Sequence, residues 1–202
     1  MDLDVLKTLG QKEVINGFFE AIKIFLTLDQ EYFKFCEENL SAILSLNVDV
    51  LSKVLSRAVA LKAYVVETDE YEKNLRMILN YGHTVAHAIE KLSEYKVMHG
   101  YAVAIGMLVE AKIAELSGLL TNADFLCVKN ILERLGVSAK LLNDFLAEDL
   151  VVAMRGDKKN KDSKIVMVLL NAIGSVKNIN NQVAFPVTED LIITALKQLQ
   201  GQ

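Results

Sequence analysis

Tryptophan is absent from this 202-residue chain, and proline occurs once, as Pro186. Aromatic residues make up only 7% of a composition that is 52% hydrophobic, so the apolar content is mostly Leu, Ile, Val and Ala. With so little to interrupt a helix, the composition favours helices over strands. The two cysteines, Cys36 and Cys127, have no CxxC partner, which excludes a disulfide framework and predicts reduced core thiols. Lys and Arg number 22 against 26 Asp and Glu, a net charge of -4. No basic field is available for nucleic acid. A run of about 18 apolar residues is also lacking, and the opening MDLDVLKTLGQKE does not have the basic-then-apolar order of a signal peptide. These absences predict a cytoplasmic protein with no membrane partner. Neither an internal repeat nor a phosphate-cradling GxGxxG or GxxxxGK loop is found.

Histidine is scarce too, yet His83, His87 and His99 all fall between Leu75 and Met107. His83 and His87 are four residues apart, so on a helix their imidazoles share one face. Arg76 and Asn80 have the same spacing and extend that face by a turn if the helix begins early enough. His99 stands beside Gly100 at the start of a new apolar segment. Spacing alone would let HxxxH and His99 supply three nitrogen ligands to a metal with one open position. The metalloprotease pattern HExxH is excluded, because Thr84 stands where its glutamate would be.

Along the chain, residues 1–10 read as the end of a connection from another domain, and residues 11–202 as one helical domain. Gln11 to Leu28 has a helical apolar period, with Glu20 and Lys23 at i,i+3 and Gly17 in its middle. Pattern alone makes Glu20 and Lys23 an exposed ion pair worth about 0.2–0.5 kcal/mol. Gly17 hints at close packing or an approached backbone. Asp29 to Asn39 and Leu40 to Leu46 are short helical segments, and Val50 to Val66 a longer helix begun by Asn47-Val48-Asp49. Lys62 falls among the apolar residues of that helix, either snorkelling at the core edge or pointing into a site. Glu67, Asp69, Glu70 and Glu72 read as a solvated loop.

Tyr101 to Leu116 is nearly continuous apolar and predicts a central, buried helix. Asn122 to Leu135 and Lys140 to Met154 add further helices. From Lys164 the period becomes strand-like, with KIVMVLL, a turn at Asn171 to Gly174, and a return over Ser175 to Ile179. Thr188, followed by Glu189 and Asp190, starts a last helix to about Leu199. The expected fold is therefore mainly α, a multi-helix domain with one small β-hairpin near residues 164–179.

The run Arg76-x3-Asn80-Tyr-Gly-His83-Thr-x2-His87-Ala-Ile-Glu90, followed by His99-Gly100-x-Ala-Val-Ala-Ile-Gly-Met107, closely resembles the signature of the 3-dehydroquinate synthase family of sugar-phosphate cyclases. Further landmarks fall in that family's order. These are Thr8-Leu9 with Glu13, Gly17-x2-Glu20-x2-Lys23, Lys62 placed 14 residues before Arg76, and Asp157-Lys158-Lys159 ahead of Val168-Leu169-Leu170 and Ile173-Gly174. The likeness spans essentially the whole chain but only the family's C-terminal, helical half. Gly10, Phe19, Val85-Ala86 and Tyr101 depart from the usual pattern, none of them at a metal or substrate position.

The resemblance implies a fold of the dehydroquinate synthase type whose partner, an N-terminal NAD-binding domain, is missing from this chain. It implies conversion of 3-deoxy-arabino-heptulosonate 7-phosphate to 3-dehydroquinate on the shikimate route, with NAD+ and Zn2+, or Co2+ in its place, as cofactors. By this likeness the metal ligands are Glu20, His83 and His99, and His87 becomes a substrate contact. Lys23, Lys62, Arg76, Asn80 and Lys158 or Lys159 correspond to substrate positions, a cationic ring suited to a carboxylate and a phosphate. Val5, Leu6, Lys7 and Thr8 correspond to a stretch that touches NAD+. The partner expected is a small sugar phosphate, and the likeness leaves room for a homodimer of the full-length enzyme. Two alternatives remain open, another sugar-phosphate cyclase and a metal-dependent alcohol or glycerol dehydrogenase. In many iron-type dehydrogenases a histidine follows the acidic ligand by four residues, whereas that position here is Ile24.

Overall fold

A computed structural model describes residues 4–156 and 164–201. A short 3-10 helix over Asp4–Thr8 leads into α1 (Gln11–Leu28), α2 (Gln30–Glu38), α3 (Leu40–Leu44) and α4 (Val48–Thr68). A second 3-10 helix, Leu75–Asn80, precedes α5 (His83–Leu92), α6 (His99–Leu116) and α7 (Asn122–Arg134). Next come a 3-10 helix over Ala139–Asp144, α8 (Ala147–Arg155), four short strands and α9 (Glu189–Gln200). The expected helical domain is thus present. Among the described residues, no helix is long and apolar enough to cross a membrane.

Helix α6 is the centre, as its nearly unbroken apolar sequence predicts. Val103, Ala104, Met107, Val109, Ala111 and Ile113 are fully buried, and α5, α1, α9 and α7 pack around it. Small residues let its neighbours come close. A Cβ on Gly100 would meet the Asn16 carbonyl oxygen of α1 at 2.0 Å, and one on Gly106 the Gly82 carbonyl oxygen at 1.9 Å. Both close passes lie beside histidines, so backbone packing sets where His83 and His99 start.

Caps mark the helix starts that the sequence suggests. Asn47 accepts from the Val50 amide, Asp29 from the Tyr32 amide and Thr121 from the Asp124 amide. Thr188 holds the cap position of α9 without a side-chain hydrogen bond. The acidic first turn is engaged instead by α8, as Arg155 donates from Nε and Nη2 to the two oxygens of Glu189, each at 2.5 Å. Asp29 also accepts from Arg57 of α4, at 2.7 Å from Nε, which fixes α4 against the α1–α2 junction.

The hairpin near residue 174 forms from β2 (Leu170–Ala172) and β3 (Ser175–Val176), paired Leu170 with Val176. Gly174 turns it with φ 82°, and its amide donates to the Leu26 carbonyl at 2.8 Å. The first part of the predicted strand does something else. β1 (Val166–Val168) pairs antiparallel with β4 (Ala184–Pro186), Met167 opposite Phe185, a partner with no local turn to announce it. Pro186 can end that strand because an edge position needs no amide donor there.

Two expectations are corrected. Arg76 and Asn80 do not continue the His83 helix, because Gly82 takes a left-handed conformation, φ 80°, and its amide donates to Glu110 of α6 at 3.0 Å. Cys127 is exposed; only Cys36 is in the core.

Candidate metal centre and adjoining cleft

Three elements converge on one point. Helix α1 brings Glu20, one turn beyond the Asn16 that accepts from the Gly100 amide at 2.8 Å. Helices α5 and α6 each bring their first residue, His83 and His99. Glu20 Oε1 lies 3.7 Å from His83 Nε2 and 3.8 Å from His99 Nε2. Donor atoms of all three residues are within 4.8 Å of one another. Two donors at about 2.1 Å from a tetrahedral zinc ion are roughly 3.4 Å apart, so the two Glu20–histidine distances lie close to ligand spacing.

The protons sharpen that reading. The His83 Nδ1 is 3.2 Å from the Tyr81 carbonyl, and the His99 Nδ1 is 3.0 Å from Glu90 Oε1. A carbonyl and a carboxylate can only accept, so each Nδ1 carries a hydrogen, and Nε2 is the nitrogen from which either ring, when neutral, presents a lone pair. Burial, with the Lys23 ammonium beside it, pulls the His83 pKa down to about 4, so the ring is neutral at pH 7. Burial pushes the Glu20 carboxyl up, but the Lys23 charge and hydrogen bond outweigh it and hold it below the usual range. The His83–Glu20 contact is therefore not an ion pair. Glu20 Oε1 faces the Nε2 atoms of both rings and is buried with no hydrogen-bond partner among the described residues. A cation between them would satisfy all three, so Glu20, His83 and His99 fit a divalent metal.

The second oxygen of Glu20 is engaged differently. Lys23 Nζ donates to Oε2 at 2.8 Å and is buried, so the pair is no exposed i,i+3 contact. Lys23 and Glu20 open onto a cleft of about 230 Å³ lined also by Lys62, Glu72, Arg76, Asn80 and His83. Lys62 is among the residues that line this cleft. The cleft brings three cationic side chains together beside the metal-type cluster, an arrangement able to hold an anionic oxygen-rich molecule.

The loop between α4 and the second 3-10 helix builds the cleft's wall. Asp69 accepts from the amides of Lys73, Asn74 and Arg76 at 3.0, 2.7 and 3.0 Å. These bonds hold its carboxyl below the usual range. Arg76 Nη1 donates to the Glu70 carbonyl at 2.7 Å. Glu72, in a left-handed conformation with φ 53°, accepts from Asn80 Nδ2 at 2.6 Å. The sequence reading missed Glu72 as a cleft residue. Nothing in its chemistry separates it from Glu67 or Glu70, and only its place between Lys62 and Arg76 hinted at the site.

His87 lies one turn along α5, its ring centroid 5.7 Å from that of His83. It borders a neighbouring cleft with Thr84, Lys91, Tyr95 and Met154 and is not part of the metal-type cluster. The three-nitrogen set suggested by HxxxH and His99 is thus replaced by one carboxylate and two imidazoles. Val5 to Thr8 form the first 3-10 helix, where Thr8 Oγ1 donates to the Val5 carbonyl at 2.7 Å. Val5, Leu6 and Thr8 are not among the described residues that line the cleft. Lys158 and Lys159 lie outside the described residues.

Residues 17–160 match the 3-dehydroquinate synthase C-terminal family. The 3-dehydroquinate synthase of Thermodesulfovibrio yellowstonii is 41% identical over 178 residues, 88% of this chain and 50% of that protein. Among solved structures, 2-epi-5-epi-valiolone synthase from Streptomyces hygroscopicus, with NAD+ and Zn2+ bound, superposes with a TM-score of 0.86 at 25% identity. It covers 99% of this chain and 54% of its own. The 2-deoxy-scyllo-inosose synthase complexed with carbaglucose-6-phosphate, NAD+ and Co2+ gives 0.80 at 26% identity, covering 98% and 54%. The chain spans about half the length of the curated relatives it matches. It belongs to the 3-dehydroquinate synthase family, whose C-terminal domain it carries.

Proposed function

We propose that this domain supplies the metal and substrate half of a 3-dehydroquinate synthase, which converts 3-deoxy-arabino-heptulosonate 7-phosphate to 3-dehydroquinate with elimination of phosphate. The observation that carries this reading is the convergence of Glu20 Oε1 with the Nε2 atoms of His83 and His99 at 3.7 and 3.8 Å, on the rim of a cleft lined by Lys23, Lys62 and Arg76. Relatives named 3-dehydroquinate synthase at 36–41% identity support the choice of substrate over those of the structural neighbours.

In this reading Glu20, His83 and His99 hold Zn2+, with Co2+ able to replace it. The bound ion supplies Lewis acidity toward a substrate hydroxyl, and NAD+ supplies a hydride acceptor that is restored in each turnover. Lys62 and Arg76 bind the anionic ends of the substrate, the guanidinium suited to a bidentate grip. Lys23, fixed to Glu20, keeps that carboxylate ionised and presents its ammonium at the cleft. Asn80, oriented by Glu72, positions a substrate hydroxyl. His87 and Lys158 or Lys159 contact substrate. Residues 1–10 are the end of a connection to an N-terminal NAD-binding domain, with Val5 to Thr8 touching NAD+ from this side. The full-length enzyme is cytoplasmic, and homodimerisation belongs to that form.

Joined to the NAD-binding domain of a full-length relative, the chain should release one phosphate per heptulosonate phosphate consumed, with no net NADH. Sustained NAD+ reduction with glycerol, without phosphate release, would instead establish the dehydrogenase alternative.

A further inference from the structure

The two histidines of the metal-type cluster are oriented by unlike devices. His83 is held at Nδ1 by the Tyr81 carbonyl, a backbone group that no substitution removes. His99 is held at Nδ1 by Glu90 Oε1 at 3.0 Å, a side-chain contact. Glu90 is seven residues beyond His83 on α5, so one helix carries both a candidate ligand and the orienting group for another. The Glu90 side chain is only 15% exposed, while that of His99 is 47% exposed. His99 therefore has much of its ring in solvent and depends on this contact for its angle. Glu90 and Glu20 meet opposite nitrogens of the same imidazole, which excludes Glu90 as a ligand to an ion at Glu20 Oε1.

We propose that Glu90 is a positioning residue that fixes His99 in its Nδ1–H tautomer and turns its Nε2 lone pair toward Glu20. This rests on the assignment of Glu20, His83 and His99 as the metal-holding set. A neutral histidine free in water prefers the Nε2–H tautomer, which would aim a proton into the cluster and block ligation. Glu90 reverses that preference before any ion arrives. Carboxylates hydrogen-bonded to ligating histidines typically change metal affinity by 10–100-fold when removed.

The test uses the purified chain, whose three histidines make nitrogen-15 NMR of the imidazoles assignable by single substitutions. In the metal-stripped chain, at a pH high enough that both rings are neutral, His83 and His99 should both show the Nδ1–H tautomer. Glu90→Leu should move His99 to Nε2–H, leave His83 unchanged and lower Co2+ affinity about 10–100-fold. Glu90→Gln, whose amide oxygen still accepts, should retain the tautomer and most of the affinity. An Nε2–H His99 in the unsubstituted chain, or undiminished Co2+ affinity in folded Glu90→Leu, would overturn the proposal. If Glu90→Leu fails to fold, the tautomers of the unsubstituted chain and of Glu90→Gln decide it. Absence of Co2+ binding with the expected tautomers would refute the metal assignment alone and leave the positioning role standing.

Discussion

Gly106 of α6 passes Gly82 so closely that a Cβ on Gly106 would lie 1.9 Å from the Gly82 carbonyl oxygen. The opposing group is backbone, so neither side can yield without moving α5 and with it His83. Gly106→Ala should destabilise the chain by about 1–3 kcal/mol in denaturant unfolding and weaken metal binding in what still folds. Gly17 offers the contrast. A Cβ there meets nothing within 4 Å among the described residues, so the close packing its mid-helix position hinted at is not found among them. Gly17→Ala should stabilise by about 0.5–1 kcal/mol. Equal effects of the two substitutions would contradict the packing described for Gly106.

Asp69 gives a pH-dependent signal. Three backbone amides hold its carboxyl below 3.8, so its folded pKa lies under the unfolded one. The folded loop then binds fewer protons between the two values, and its stabilisation is complete above pH 3.8 and lost as pH falls through the folded pKa. The amide resonances of Lys73, Asn74 and Arg76 should titrate together below that value. In Asp69→Ala the same amides should exchange faster at neutral pH. A shared titration at or above pH 3.8 would show that the carboxylate does not organise the cleft wall.

The cysteines should report folding. Cys127 is exposed, whereas Cys36 is buried, burial and the Asp29 charge pushing its thiol up to about 12. A thiol reagent at pH 8 should label Cys127 rapidly in the native chain and Cys36 only on unfolding. Rapid labelling of both under native conditions would mean that the α2 core contact is not formed.

Lys62 tests the cleft. In a full-length enzyme carrying this domain, Lys62→Ala should lower kcat/KM about 10–150-fold, the range of a lost hydrogen bond to a charged partner. The metal content should stay unchanged, because Lys62 lines the cleft without touching the cluster. Unaltered activity would remove Lys62 from the substrate site.

Local pattern carried much of the fold. The apolar period of Gln11 to Leu28 marks α1 at both ends, and the apolar run after Gly100 marks the buried α6. What pattern could not convey was relations between distant segments. β4 pairs with β1 across a gap that no turn bridges, and the kink at Gly82 depends on Glu110, 28 residues away. The i,i+4 spacing of His83 and His87 suggested joint ligation, but convergence with α1 and α6 selects Glu20 and His99 instead. The resemblance to a known family, and not periodicity, had pointed to that set. Glu72 and Asp69 looked like ordinary solvated acids because their work is done through the loop's backbone and Asn80.

Metal content of the purified chain, measured by plasma mass spectrometry beside that of His99→Ala, tests the central claim most directly. The chain should contain about one zinc ion per molecule, and His99→Ala should lose most of it while remaining helical. Full zinc content in folded His99→Ala would contradict the assignment of Glu20, His83 and His99 as the metal-holding set.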